Sequence, residues 1–249
     1  MSEISALFGA GAEAYASYRP HYPDELFAWL ARHSPQHQRA LDIGCGNGQA
    51  SQPLRRHFGQ VLACDASIEQ LRAGSDWRGI QLFVADAQVL PLPSASLDLV
   101  VVAQALHWFA SPAFFAEVSR LLRPDGLFCA WCYGLMQIDA GLDALVADFY
   151  RGTLAGYWLD GRASVDAGYR DIHCPLSPIE TPELALATSW NFAQLLGYLR
   201  TWSAVQRWER QHGRDPVAEL TPALRQAWGD VRQPRPIRWP LHFLAGIAR

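Results

Sequence analysis

Three closely spaced glycines, at the end of the run Ala40-Leu41-Asp42-Ile43-Gly44-Cys45-Gly46-Asn47-Gly48-Gln49, are where this chain is equipped for chemistry. An apolar run that hands over to glycines reads as a buried strand entering a helix, with backbone free to approach a ligand where a Cβ would collide. The spacing is Gly44-x-Gly46-x-Gly48, whereas the dinucleotide fingerprint G-x-G-x-x-G sets its last glycine one position later. Asp65 closes the next apolar run, Val61-Leu62-Ala63-Cys64, 23 positions after Asp42. That is where an acid hydrogen-bonds a ribose. Each hydrogen bond to a charged group contributes about 1.5–3 kcal/mol, so one carboxylate can select a ribonucleoside. Asp86 and Gln104 follow later apolar runs, and His107 and Trp108 come just after Gln104.

Elements that position these residues are legible from periodicity. Strands are predicted near 39–44, 61–65, 80–86, 97–103 and 126–133, alternating with helices, the signature of a parallel sheet covered on both faces. Leu97 to Ala103 is almost continuously apolar, as in a central parallel strand. The helix Ser111 to Arg123 has a serine N-cap and Pro112 at its first position. In such sheets ligands bind at the carboxyl ends of the strands, so Asp42, Gly44, Asp65, Asp86 and Gln104 are expected around one crevice. Four regions are expected: an N-terminal helical segment over 1–35, a core over 36–135, a lid and acceptor region with one core strand over 136–212, and a final helix and strand over 213–249. Within the third, a strand is expected at about 172–181, and one amphipathic helix through Phe192, Leu195, Leu199, Trp202 and Val205.

Composition removes several functions. Net charge is −3 with a pI near 6.2, which speaks against nucleic acid as the partner. All 21 basic residues are Arg, so Schiff-base lysines and the phosphate-loop lysine are excluded. Five scattered Cys suit free thiols in a reducing compartment. No signal peptide and no membrane span is expected, which points to the cytoplasm.

The motifs Asp42-x-Gly44-x-Gly46-x-Gly48, Asp65, Val84-Ala85-Asp86-Ala87 and Leu122-Arg123-Pro124-Asp125-Gly126 resemble the ordered motifs of class I S-adenosylmethionine-dependent methyltransferases, nearest the type 11 small-molecule branch. Tyr15-x-x-Tyr18-Arg19-Pro20-x-Tyr22-Pro23, Gln104-Ala105-Leu106-His107-Trp108-Phe109 and Trp239-Pro240-Leu241 resemble the trans-aconitate-methyltransferase-like subgroup. This resemblance implies an α/β fold, a Rossmann-like, doubly wound seven-stranded sheet with its last strand antiparallel, plus a helical lid. It also implies S-adenosyl-L-methionine as cofactor, with S-adenosyl-L-homocysteine as product, held by Tyr18, Arg19, Asp42, Gly44, Cys45, Gly46, Gly48, Asp65, Ala66, Asp86, Ala87 and Gln104. Arg19 would meet the methionine carboxylate, the glycine loop the methionine part, Asp65 the ribose, and Asp86 with Ala87 the adenine edge.

The expected reaction is methyl transfer to a carboxylate or hydroxyl oxygen of a small organic molecule. His107 is either a general base or a hydrogen-bonding wall residue. Trp108, Tyr133, Tyr157, Trp158, Tyr169, Trp190, Tyr198 and Trp202 are candidate acceptor walls, and Arg162 and Arg170 candidate anchors for an acidic acceptor. Gln104-Ala105-Leu106-His107 stands where DNA amino-methyltransferases carry Asp/Asn-Pro-Pro-Tyr/Phe, so base methylation is disfavoured. No metal, no membrane partner, and a monomer or homodimer are expected. Two other readings stay open: a non-catalytic binder of S-adenosylmethionine or S-adenosylhomocysteine, and a nicotinamide oxidoreductase.

Overall fold

The apolar runs become strands because each can be buried on both faces only inside a sheet. In the computed structural model, which describes residues 20–74 and 76–249, these are β1 (Arg39–Ile43), β2 (Gln60–Asp65), β3 (Ile80–Val84), β4 (Leu97–Ala103), β5 (Leu122–Tyr133), β6 (Ser177–Pro178), β7 (Ala185–Trp190) and β8 (Arg235–Ile247). Helices are α1 (Asp24–His33), α2 (Ser51–Leu54), α3 (Ile68–Ala73), α4 (Pro112–Leu121), α5 (Ala140–Asp148), α6 (Arg162–Asp166), α7 (Phe192–Arg200), α8 (Ser203–His212) and α9 (Pro216–Trp228). The sheet has eight strands in the order β3-β2-β1-β4-β5-β8-β6, with β7 paired to β8 off this path. β1 is parallel to β2 and β4, and β4 to β5, while β8 runs antiparallel to β5. Strand order therefore reverses direction between β1 and β4, where open α/β sheets bind their ligands.

The chain divides into two compact units. One comprises Gly134–Arg162 and Ala185–Pro240; the other comprises Tyr22–Tyr133, Ala163–Leu184 and Leu241–Arg249. Ser111 caps α4 by accepting from the Phe114 amide, with Pro112 in the first turn, and the helix packs Phe114, Phe115, Val118 and Leu121 inward. No described helix is long and apolar enough to cross a membrane.

Two expectations fail locally. The strand predicted at about 172–181 shrinks to Ser177–Pro178, and a separate six-residue strand forms at Ala185–Trp190, so the sheet has eight strands instead of seven. Pro175, Pro178 and Pro182 lack the N–H a ladder requires, which limits this stretch to a short edge. The single helix predicted through Trp202 is two: Trp202 takes an extended conformation (φ −68°, ψ 130°) and starts α8.

Asp98 closes the base of the sheet. Its carboxylate is fully buried, accepts from the amides of Gln38 and Arg39 at 2.8 Å each, and pairs with Arg123 at 2.7 Å. Asp98→Asn swaps an acceptor for a donor facing those groups and should cost about 2 kcal/mol in urea unfolding. An unchanged midpoint would contradict this assignment.

Candidate cofactor and acceptor site

β1 ends at Ile43, and the next residues fold back on β2. The amides of Gly44 and Cys45 both donate to the Cys64 carbonyl, at 2.9 and 3.0 Å, and Gly48 donates to Cys45. Gly44, Gly46 and Gly48 have φ of 67°, 55° and 87°, the left-handed region that disfavours other residues. A Cβ on Gly44 would lie 2.8 Å from the Ala105 Cβ and 3.3 Å from the Phe109 ring, and one on Gly48 would lie 2.7 Å from the Trp77 ring. Trp77 is itself held by its indole N–H on the Leu71 carbonyl.

Asp65, the last residue of β2, grips the loop. One carboxylate oxygen accepts from the Gly46 amide and the other from the Ser67 amide, both at 2.9 Å. A carboxylate has about four lone-pair sites, so acceptor capacity is left for hydroxyl donors. Asp42 is fully buried; one oxygen accepts from the Ser51 hydroxyl at 2.5 Å and the other has no hydrogen-bond partner among the described residues. Burial, joined by the nearby Asp65 charge and opposed by the Ser51 hydrogen bond, raises its carboxyl from 3.8 to about 7. Burial and the same two acids push the Cys64 thiol up to about 12 and raise Cys45 as well, so Cys45 can serve a ligand through its backbone and not as a thiolate.

Just past β3, Asp86 is exposed and closes a turn by accepting from the Gln88 amide at 2.9 Å, and Ala87 is buried beside it. Ala66 lies between Asp65 and Ser67 in the turn into α3. Past β4, Gln104 is left-handed (φ 56°), and its side-chain amide clamps the Tyr133 backbone, accepting from its N–H at 2.9 Å and donating to its C=O at 3.0 Å. Its carboxamide is thus used to join the ends of β4 and β5.

A short turn, Leu106–Trp108, follows. The His107 Nδ1 lies 3.1 Å from the Tyr169 hydroxyl, and its ring meets Trp108 with centroids 4.5 Å apart. Arg170, next to Tyr169, is exposed; its charge and, more strongly, burial lower the His242 imidazole. All these residues belong to the unit containing Tyr22–Tyr133. Tyr157, Trp158, Arg162 and Trp202 belong to the other. There the Arg162 guanidinium lies 4.9 Å from the Trp158 ring centroid and 5.1 Å from that of Tyr150, and donates to the Tyr150 hydroxyl. Trp202 is buried 5.6 Å from Trp158. Tyr157 stands apart from that cluster, hydrogen-bonded to His212 at 2.8 Å. Tyr18 and Arg19 lie outside the described residues.

Residues 41–130 match the type 11 methyltransferase domain family. A protein from Dictyostelium discoideum assigned as a methyltransferase is 32% identical over 225 residues, covering 89% of this chain and 86% of that protein. The chain is a class I, type 11 S-adenosylmethionine-dependent methyltransferase. A solved structure assigned as a type II methyltransferase from Anaeromyxobacter dehalogenans is 42% identical, with a TM-score of 0.86 over 92% of this methyltransferase and 98% of that chain. The malonyl-[acyl-carrier protein] O-methyltransferase of Hahella chejuensis is 34% identical over 139 residues, 52% of this chain and 49% of that protein.

The residues of this methyltransferase fit the cofactor that its family uses. An unpartnered buried acceptor on Asp42 and left-handed glycines that exclude a Cβ leave backbone and charge for a polar, cationic ligand. Ser51, Ser67 and Trp77 are not apparent as site residues in the sequence, because each acts through its fold neighbours. Tyr169 is a candidate wall residue in the sequence, but its hydrogen bond to His107 is not apparent there.

Proposed function

We propose that this methyltransferase moves a methyl group from S-adenosylmethionine to a carboxylate or hydroxyl oxygen of a small organic molecule by in-line displacement. The observation that carries the reading is the Asp42 oxygen left without a partner beside a loop whose Gly46 amide is tied to Asp65. Similarity to a protein named as a malonyl-[acyl-carrier protein] O-methyltransferase supports oxygen as the acceptor.

When bound, the cofactor supplies an already activated sulfonium methyl. What remains for the chain is to bind and orient, and holding reactants in line is worth about 7–11 kcal/mol in favourable cases. In this reading Gly44 to Gly48 bear the methionine part, Asp65 the ribose, and Asp86 with Ala87 the adenine edge. Ala66 and Cys45 contribute backbone and Gln104 holds the end of β4, while Tyr18 and Arg19 close the methionine end. His107, Trp108, Tyr133, Tyr157, Trp158, Arg162, Arg170 and Trp202 are the residues proposed for recognition of the acceptor.

Asp65→Asn should weaken S-adenosylhomocysteine binding about 10- to 100-fold in calorimetry, because the ribose loses a charged hydrogen-bond partner. An affinity within threefold of wild type would remove Asp65 from the ribose. The reaction is tested by incubating the full chain with methyl-labelled S-adenosylmethionine and a panel of carboxylic acids, hydroxy acids, amines and thiols. Base-labile label marks a methyl ester, and base-stable label an ether. Label incorporated only into amines or thiols would refute transfer to oxygen.

A further inference from the structure

Tyr169 is a polar side chain in a position that is hard to reach. It is 1% exposed, within the core cluster that holds Leu106, Cys132 and Val165. Its φ is +61°, in the left-handed region where a tyrosine is strained, and the Gly168 before it is left-handed too. Gly168 could not be anything larger, since a Cβ there would lie 2.8 Å from the His242 ring. Tyr169 is pinned through its amide to the Ser164 carbonyl and through its own carbonyl to the Ile172 amide. Such strain persists where the surrounding structure over-determines it, and it concentrates at functional sites.

We propose that Tyr169 is a positioning residue that holds His107 as the Nε2–H tautomer, making His107 a hydrogen-bond donor to the carboxylate of an acidic acceptor instead of a general base. This rests on the reading of the site as one for methyl transfer to oxygen.

The argument is a count of protons. A buried phenol carries one O–H that must find an acceptor or lose a hydrogen bond's worth of solvation. Among the described residues, its side-chain hydrogen-bond partner is the His107 Nδ1, at 3.1 Å. Burial raises the phenol well above its ordinary range and outweighs the opposing backbone hydrogen bonding at His107 and Leu106, so it keeps its proton. Those backbone groups are donors and cannot receive it. The phenol O–H therefore points to Nδ1, Nδ1 accepts, and the ring's own proton sits on Nε2. A general base must become an imidazolium, with a proton on Nδ1 as well as Nε2. That proton would face the phenol O–H and orphan it. Enzymes that use histidine as a base put a carboxylate on Nδ1–H, which stabilises the cation. Here the group that meets Nδ1 is the Tyr169 phenol, at 3.1 Å.

A donor histidine suits one acceptor class. Carboxylic acids are ionised near neutrality and need no base, whereas an alcohol does. Donation from Nε2 to one carboxylate oxygen orients the other. That oxygen forms the new O–CH3 bond as the C–S bond breaks, the electron pair leaves on sulfur, and no proton moves.

The tautomer is read first without any substrate, in the full chain carrying 15N-labelled histidine. In the wild type His107 Nδ1 should resonate as an unprotonated, pyridine-type nitrogen and Nε2 as a protonated, pyrrole-type one, and in Tyr169→Phe this preference should be lost. A protonated Nδ1 in the wild type overturns the proposal whatever the enzyme methylates. The donor role is read in turnover of a carboxylic acid. His107→Leu should lower kcat/KM by 30-fold or more, and His107→Gln, which keeps an N–H, should lose at least fivefold less. Equal losses in the two variants, with a histidine limb in the wild-type pH profile, would make His107 a base and overturn the donor role. Absence of turnover on every carboxylic acid, with the NMR result as expected, would instead refute oxygen methylation and leave the tautomer standing.

Discussion

Gly44→Ala should abolish detectable binding of S-adenosylhomocysteine and destabilise the fold, while Gly46→Ala, two residues on, should chiefly impair binding. At Gly44 two penalties add. A left-handed backbone costs a non-glycine residue about 1–2 kcal/mol, and the new methyl would sit 2.8 Å from the Ala105 Cβ with the Phe109 ring behind it, an overpacking worth roughly 1–3 kcal/mol. Neither neighbour is the far end of a flexible chain. A loss of about 3 kcal/mol lowers the thermal midpoint of a domain this size by roughly 6–12 °C. At Gly46 the closest atom to a Cβ is the Gln70 side-chain oxygen at 3.8 Å, so only the backbone penalty of about 1–2 kcal/mol applies. The loop stays tied to Asp65 through the Gly46 amide. Scanning calorimetry with ligand titration separates the two variants. Equal midpoints, or Gly44→Ala binding ligand like wild type, would show that the loop is an ordinary turn.

Asp42 carries the second large effect, and its sign follows from linkage. In the unfolded chain its carboxyl titrates near 3.8; in the fold burial raises it to about 7. A raised carboxyl favours the protonated form of the fold, so Asp42's contribution is greatest below pH 4 and is lost as pH rises through about 7. With one pKa unit worth about 1.4 kcal/mol, the loss between those limits is on the order of 4 kcal/mol. Asp42→Asn cannot ionise and lacks this slope. Urea unfolding at pH 4, 6 and 8.5 should therefore show the variant gaining on wild type by several kcal/mol across the range. Parallel pH profiles for both proteins would mean that Asp42 is hydrated and not buried alone. The unpaired Asp42 oxygen is a stability cost in the free protein that a cationic ligand would offset.

Much of the core was legible because its signals are local. Leu97 to Ala103 can be read as a buried parallel strand from apolar continuity alone, and the structure makes it β4. Leu26, Phe27, Trp29 and Leu30 recur at helical spacing, and the structure buries them on α1. The glycines of the loop predicted a backbone with no room for a Cβ, and a Cβ on Gly44 or Gly48 would indeed fall within 3 Å of a neighbouring side chain. What was not legible depends on contacts between distant residues. Trp202 divides α7 from α8 without a proline or glycine to mark the break, because it is packed among Phe149, Tyr150, Trp158 and Tyr198. The clamp of the Gln104 carboxamide on the Tyr133 backbone joins residues 29 positions apart and has no local signal. Tyr169, 62 positions from His107, gives no sign in sequence that the two share a hydrogen bond.

The central claim is that an adenosyl sulfonium donor rests on Gly44 to Gly48 with its sugar on Asp65. Titration calorimetry of the full chain with S-adenosylhomocysteine, and separately with NAD, tests it most directly. One equivalent of S-adenosylhomocysteine should bind with saturating heat, weakened in Asp65→Asn and absent in Gly44→Ala, and NAD should give none. Folded protein that takes up no S-adenosylhomocysteine, or that binds NAD in its place, would contradict the account.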